Sequence, residues 1–338
     1  MTCVSQALEV DPGKGHREWV KPPYRSSENL LGFLYHAVSN RPMPHVRWLY
    51  DYKSLDEFDE DLSYIEHFYR VPARGELERY LAGERPVMPC CHLSFDDGLA
   101  QTTQIVWPRV RKLGWTAFFF VVTDSIENRS AMYRHVVSLC IDRLEGFPSE
   151  RRIEHLEALG SLAGTPLDGF EGFARWIKGL GSRDAQPLAQ VCSVLGVDVN
   201  RFLLEERPYL TAHALQQLAD EGAIVGAHSR SHARLGTLGN PRTVEEEIVG
   251  SCEVIRDLTG AQRVPFAFPF SGAGVDRALL SNIMRRNPFV GPFFDVHGFR
   301  KDEPFVLHRI AADTPSHDEQ TQSNLPLLIE RARRLSGL

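Results

Sequence analysis

The chain has 338 residues, 43% hydrophobic and 24% charged, an ordinary globular composition with enough material for one large domain or two small ones. Its 38 Lys and Arg against 44 Asp and Glu leave a net charge of -6 with no basic stripe, which argues against nucleic acid as a partner. No window reaches the roughly eighteen apolar residues of a membrane span, and no basic start followed by an apolar stretch opens the chain, so the expectation is a cytoplasmic protein without a transmembrane segment.

The polar, Pro-, Gly- and Ser-rich stretch 1–27 reads as a loose arm. "ENLLGFLYHAV" reads as a first buried strand ending at Tyr35 and His36. "SLDEFDEDLSYIEHF" opens with Ser54 and Glu57 in a capping box and sets Leu55, Phe58, Leu62, Ile65 and Phe68 on one helical face. "VMPCCHLSF" is a second apolar run that delivers Asp96 and Asp97 at its end. A helix follows through Ile105, Val106, Val110 and Leu113, and then "WTAFFFVVT", apolar without alternation, as a parallel strand covered on both faces should be.

Residues 126–204 interrupt this rhythm with helical stretches whose apolar residues look sparse, and they read as a helical insertion rather than a separate domain. Alternation resumes with a helix at "TAHALQQLADEG", a strand at "AIVGAHS", a helix from Thr243 capped by Glu246, and "VPFAFPF". A helix around Leu279 to Met284 precedes the strands "PFFDV" and "PFVLHRI"; 316–338 reads as a terminal helix or tail. The order specifies an α/β barrel or a doubly wound sheet. Cys3, Cys90, Cys91, Cys140, Cys192 and Cys252 show no metal-ribbon or CxxC spacing, which reads as free thiols in a reducing compartment, with Cys90 and Cys91 as strand residues.

Two polar clusters carry the chemistry. In "HLSFDDGLA" two adjacent carboxylates repel unless a cation lies between them or one is held as the acid. In "GAHSRSHARL" His228 and His232 follow a strand directly. Strand C-terminal ends gather on one face of a parallel α/β fold, so the histidines can meet Asp96 or Asp97 there. Two imidazoles and one carboxylate with open positions make a catalytic site for zinc or a similar divalent ion, and leave the second aspartate free as a base. HxxxH alone is common and FDDG alone is often a turn; their occurrence together at strand ends makes the metal reading the stronger one.

"LSFDDG", "GAHSRSH" and "FAFPFSG" resemble, in order, the first three motifs of the polysaccharide deacetylase family, carbohydrate esterase family 4. "LYHAV" with "SLDEFDEDLSYIE" looks like the leading segment of its non-secreted, polysaccharide-biosynthesis branch. The resemblance, over roughly 28–312, implies a distorted (β/α)7 barrel, here expected over 28–315, and a metal-dependent hydrolase that removes an N-acetyl or other N-acyl group from an amino sugar or glycan intermediate. It implies Asp96 as the catalytic base, Asp97, His228 and His232 as ligands of a divalent metal, most simply Zn2+, and the Phe270 N–H as donor to the oxyanion.

Two departures follow. The third motif of many members carries an arginine that orients the base, whereas the nearest here, Arg263, stands several residues upstream. The acid is normally a late histidine; His308 in "VLHRI" is the favoured counterpart over His297 in "DVHG". His36 is a candidate for the pocket rim, and Arg309 for a pair with a mouth carboxylate such as Asp295. The rival readings are a deacylase or deformylase of a small molecule and an inactive carbohydrate-binding homologue.

Overall fold

The computed structural model describes residues 30–82, 84, 90–315 and 323–336. The arm expected at 1–27, Cys3 and residues 316–322 lie outside them.

The elements follow in chain order. Strand β1 (Leu30–Tyr35), helices α1 (Leu55–Phe68) and α2 (Arg74–Leu81), β2 (Cys90–Phe95), α3 (Trp107–Lys112) and β3 (Ala117–Val121) form the first part. Helices α4 (Tyr133–Glu145), α5 (Ser149–Ala163), α6 (Gly169–Lys178), α7 (Ala185–Leu195) and α8 (Val199–Glu206) come next. Then α9 (Ala212–Asp220), β4 (Ile224–Ala227), α10 (Pro241–Thr259), β5 (Val264–Ala267), α11 (Arg277–Arg286), β6 (Val290–Asp295), β7 (Val306–His308), β8 (Ile310–Ala311) and α12 (Leu325–Leu335) complete the chain.

The strands form one parallel sheet in the order β7-β6-β5-β4-β3-β2-β1-β8. Strands β7 and β8 are separated by Arg309 alone. The last strand run is therefore one bent segment that pairs with β6 before the bend and with β1 after it, which closes the sheet into the expected barrel. Cys90 and Cys91 lie in β2 as expected. The capping box at Ser54 and Glu57 is present. Helix α10 starts two residues before Thr243, because Asn240 accepts from the Arg242 N–H and Pro241 occupies the first turn, where its missing donor is harmless.

Alternation along the strands sorts side chains into two layers. Phe33, Tyr35, Leu93, Phe95, Phe119 and Val225 face outward into the main core under the helices. Phe118, Phe120, Ile224, Ala267 and Phe294 fill the barrel interior, with Leu307 packed against them. The helical insertion departs from the sequence reading: Val137, Cys140, Ile141, Leu144, Phe173, Ile177 and Val191 pack into a core of its own. With Leu159 of α5 these apolar positions are spread over four helices, so none of the helices looks strongly apolar alone.

Candidate metal centre at the barrel mouth

Inward alternation carries past the strand ends and selects the residues of the mouth. In β2, His92 and Ser94 face inward and Asp96 continues the series; Ser94 and Asp96 both accept from Arg309. In β4, Ile224 and Gly226 are followed by His228. In β1, Gly32 and Leu34 are followed by His36, and in β7 Leu307 is followed by Arg309. Gly32 is required here, since a Cβ would lie 2.6 Å from the His92 ring and 2.9 Å from the Arg309 side chain.

Asp97 should point outward by the same rule. Its backbone instead turns into the left-handed region with φ 72° and Gly98 follows at 68°, which swings both carboxylates into the mouth. A Cβ at Gly98 would also meet Val121 at 2.8 Å. Among the described residues seven non-glycine positions have positive φ, and four of them, Asp97, Ser229, His232 and Phe270, belong to this site. Strain of this kind persists only where the surroundings enforce it.

Asp97, His228 and His232 bring one ligand atom each within 4.8 Å of one another, and all three are buried. The Asp97 Oδ1 lies 3.6 Å from His228 Nε2 and 3.4 Å from His232 Nε2, with no hydrogen bond of its own. His228 Nδ1 sits 2.9 Å from the Ala267 carbonyl; that bond places the proton on Nδ1 and leaves the Nε2 lone pair aimed at Asp97. The set therefore fits a divalent cation: two imidazole nitrogens and a carboxylate oxygen converge without saturating one another. Burial first, and the neighbouring His232 next, push His228 down to about 4 against the pull of Asp96 and Asp97, so its imidazole is neutral at pH 7, as a ligand must be.

The other Asp97 oxygen accepts from the Tyr50 hydroxyl at 2.7 Å and lies 3.7 Å from His135 Nε2. His135 belongs to α4, so the helical insertion reaches the centre. Burial alone would raise the Asp97 carboxyl; the His135 and His232 imidazoles outweigh it and hold the group well below its ordinary range. Neither Tyr50 nor His135 stood out in the sequence, because neither belongs to a motif.

Asp96 is gripped by Arg309 through two bonds of 2.7 and 2.9 Å, and both side chains are essentially fully buried. Burial opposes its charge, yet the Arg309 guanidinium prevails and its carboxyl lies below the ordinary range. This corrects two expectations. Arg309 pairs with Asp96 and not with Asp295, whose nearest guanidinium is Arg277 at 3.7 Å. The arginine missing from the third motif is replaced by one from the bend between β7 and β8. Arg263 precedes β5 and lines a cavity with Arg74, Thr259 and Gly291 at the opposite barrel end.

The structure places His308 away from the mouth. Val306, one strand repeat earlier, faces the outer core while Leu307 and Arg309 face the interior, so His308 points outward too. Its titratable neighbours are Asp295, Asp302 and His297, with Asp302 at 3.3 Å. His297 Nε2 lies 3.0 Å from Ser271 Oγ. Besides His135 and the pair His228 and His232, the mouth holds His36. Its Nδ1 lies 2.6 Å from Asp313, its backbone N–H donates to the same carboxylate at 2.7 Å, and its ring stacks on Tyr50 at 4.2 Å. Burial opposes its protonation, but Asp313 first and then Asp97 and Asp96 raise it to about 9.

Phe270 lies across the centre, its ring 5.0 Å from that of His232. Its backbone sits at φ 61° between Pro269 and a tight turn in which Ser271 N–H donates to the Pro269 carbonyl. Among the described residues its own N–H donates to no protein acceptor.

Residues 187–284 match the family model described as polysaccharide deacetylase. That segment includes the histidine motif and "FAFPFSG" but not the aspartate pair. No curated protein matches the chain in sequence. Among solved structures, the Streptococcus pyogenes deacetylase PplD, in complex with acetate, is similar at TM-score 0.53 and 14% identity over 89% of this chain and 97% of its own. IcaB from Ammonifex degensii is similar at TM-score 0.53 and 15% identity, over 89% and 97% respectively. At such identities the structures speak for the fold, which is the barrel described above. Motifs, family model and barrel agree: this chain resembles the polysaccharide deacetylase family.

Proposed function

We propose that the chain is a zinc-dependent hydrolase that removes an N-acyl group, foremost N-acetyl, from an amino sugar in a glycan or glycan precursor. The observation that carries this reading is the pairing of an open Asp97–His228–His232 set with a second carboxylate, Asp96, kept ionised by Arg309 at the same mouth. A divalent cation held there would polarise an amide carbonyl and make water a better nucleophile.

The chain's own groups then divide the work. Asp96 accepts the proton of the attacking water; Arg309 occupies one lone pair on each oxygen and leaves another free. The Phe270 N–H donates to the oxyanion of the tetrahedral intermediate, a role that needs the backbone only, so Phe serves as well as Tyr. His36, protonated at neutral pH through Asp313, hands a proton to the departing amine. In this reading the acid is His36, just after β1, rather than His308. No covalent intermediate is needed.

The test is incubation of the zinc-loaded protein with an N-acetylated glucosamine oligosaccharide, read by mass spectrometry. Loss of about 42 mass units per acetyl group is expected, abolished by a chelator and restored by added zinc. Turnover that survives complete removal of metal would overturn the reading.

A further inference from the structure

Beside the metal centre opens a second cavity of about 340 Å³, whose walls include Tyr133, Arg134, Lys178, Arg183, Arg234 and Phe270. It adjoins the mouth directly: the Tyr133 and Phe270 rings lie 6.4 and 5.0 Å from the ring of His232. Its walls come from the insertion, through α4 and the loop after α6, and from the loops after β4 and β5. Four cationic side chains line it against one carboxylate, Asp184, and that carboxylate accepts from the Gly181 N–H at 2.8 Å.

Among the described residues none of the four cations pairs with a carboxylate. Arg234 and Arg134 stack on the Phe270 ring at 4.2 and 5.7 Å. Arg134 otherwise donates to the Lys178 carbonyl at 3.0 Å and Arg183 to the Leu238 carbonyl at 2.8 Å. Some partly exposed arginines of this chain do find carboxylates, as Arg109 does with Asp59 and Arg277 with Asp302, while Arg129, Arg143 and Arg152 bond to backbone carbonyls. Burial first pushes Arg134 and Lys178 below their ordinary values; each also feels the next cation, Arg234 and Arg134 respectively, against the opposing pull of Asp97 on Arg134 and Glu171 on Lys178. Like charges crowded beside a cavity are unfavourable until an anion enters it.

We infer that this cavity is an anion subsite for a phosphate or diphosphate group carried by the acylamino sugar whose amide lies at the metal centre. The inference rests on the hydrolase reading above for the position of that amide. Phosphoryl oxygens suit the site better than a single carboxylate, since four cations less Asp184 leave three positive charges, and guanidinium forks match phosphoryl oxygens in pairs. A polymer of neutral sugars would leave those charges unmet.

The experiment compares the full-length, zinc-loaded protein with an Arg134→Gln, Arg183→Gln double variant of the same metal content, so that chelation by the probe cancels between them. Calorimetry with inorganic diphosphate should show binding that weakens about tenfold or more in the variant. In turnover, a nucleoside-diphosphate-linked and a short-prenyl-diphosphate-linked N-acetyl amino sugar should each exceed a neutral N-acetyl oligosaccharide in kcat/KM, with the advantage lost in the variant. The better of the two identifies the carrier. Equal diphosphate affinity in both proteins would overturn the subsite, even where the neutral oligosaccharide is hydrolysed and the hydrolase reading stands. Variant-sensitive binding without turnover of any N-acyl sugar would uphold the subsite and sink the hydrolase reading instead.

Discussion

Tyr35, the last residue of β1, and His36, just after it, lead into two clusters of buried charge that behave in opposite ways. Tyr35 faces outward and donates to Asp61 at 3.0 Å. The same carboxylate lies 3.2 Å from Lys53 and accepts from Ser323 at 2.6 Å, while Lys53 donates to Asn324 at 2.6 Å. Both Asp61 oxygens are occupied, and the cluster pins α1 and the start of α12 to the barrel. His36 faces the mouth, where Asp97 Oδ1, His135 Nε2 and His232 Nδ1 have no hydrogen-bond partner. Buried polar groups are ordinarily satisfied, so the orphaned Asp97 Oδ1, set between the Nε2 atoms of His228 and His232, marks a place kept for something else. Burial of charge is common to both clusters; incompleteness belongs to the mouth alone. The carboxyls differ as well. Burial wins at Asp61, whose carboxyl is raised despite Lys53 and its hydrogen bonds, whereas Asp96 and Asp97 are held down.

The contrast can be broken most forcefully inside the mouth. Asp96→Asn should keep its metal and lose turnover by about a hundredfold to ten-thousandfold, as expected when a general base becomes an amide that cannot take a proton. Asp97→Asn should lose the metal itself. Elemental analysis beside steady-state rates checks both, and equal metal content in the two variants would end the division of labour between the adjacent carboxylates.

The closed cluster should respond in stability rather than in chemistry. Lys53→Met leaves Asp61 buried without its cation and should cost about 3 to 5 kcal/mol, read from urea unfolding, with unchanged metal content. A Lys53→Met protein as stable as the wild type but depleted of metal would make this cluster part of the site.

What was legible in the sequence was whatever a single strand end carries. Asp96, Asp97, His228 and His232 are local motifs at the ends of apolar runs; the order of those runs leaves a barrel or a doubly wound sheet, and the family resemblance chooses the barrel. The expected pair of Arg309 with Asp295 failed because a pairing across the barrel depends on which way a side chain faces, and that is set by the bend between β7 and β8. "VLHRI" gives no sign of the bend. His308 was favoured for its lateness in the chain, although the alternation that puts Arg309 inside puts His308 outside. Tyr50, His135 and Asp313 come from a loop, an inserted helix and the chain after β8, and only the closed fold brings them to the aspartates. The insertion's own core was missed because its apolar residues are divided among helices that each look weak.

The finest test concerns which histidine gives up the proton. If His36 is the acid, kcat/KM must fall as pH rises through its pKa, which in the metal-free protein lies at about 9 because Asp313, with Asp97 and Asp96, outweighs burial. Removing the Asp313 charge takes away the largest upward influence, so Asp313→Asn should move the alkaline limb to lower pH, towards the ordinary histidine value of about 6.5. The effect at pH 7 is then modest, a partial loss of protonated acid, and it grows with pH until both enzymes are on the falling limb. His36→Asn should abolish the limb together with most of the rate. His308→Asn should leave the limb where it is, since Asp302 and Asp295 are its neighbours and the reacting amide is not. A limb that follows His308→Asn and ignores Asp313→Asn would return the acid to the last strand, and would require the outward face of β7 to reach the substrate by a path this barrel does not show.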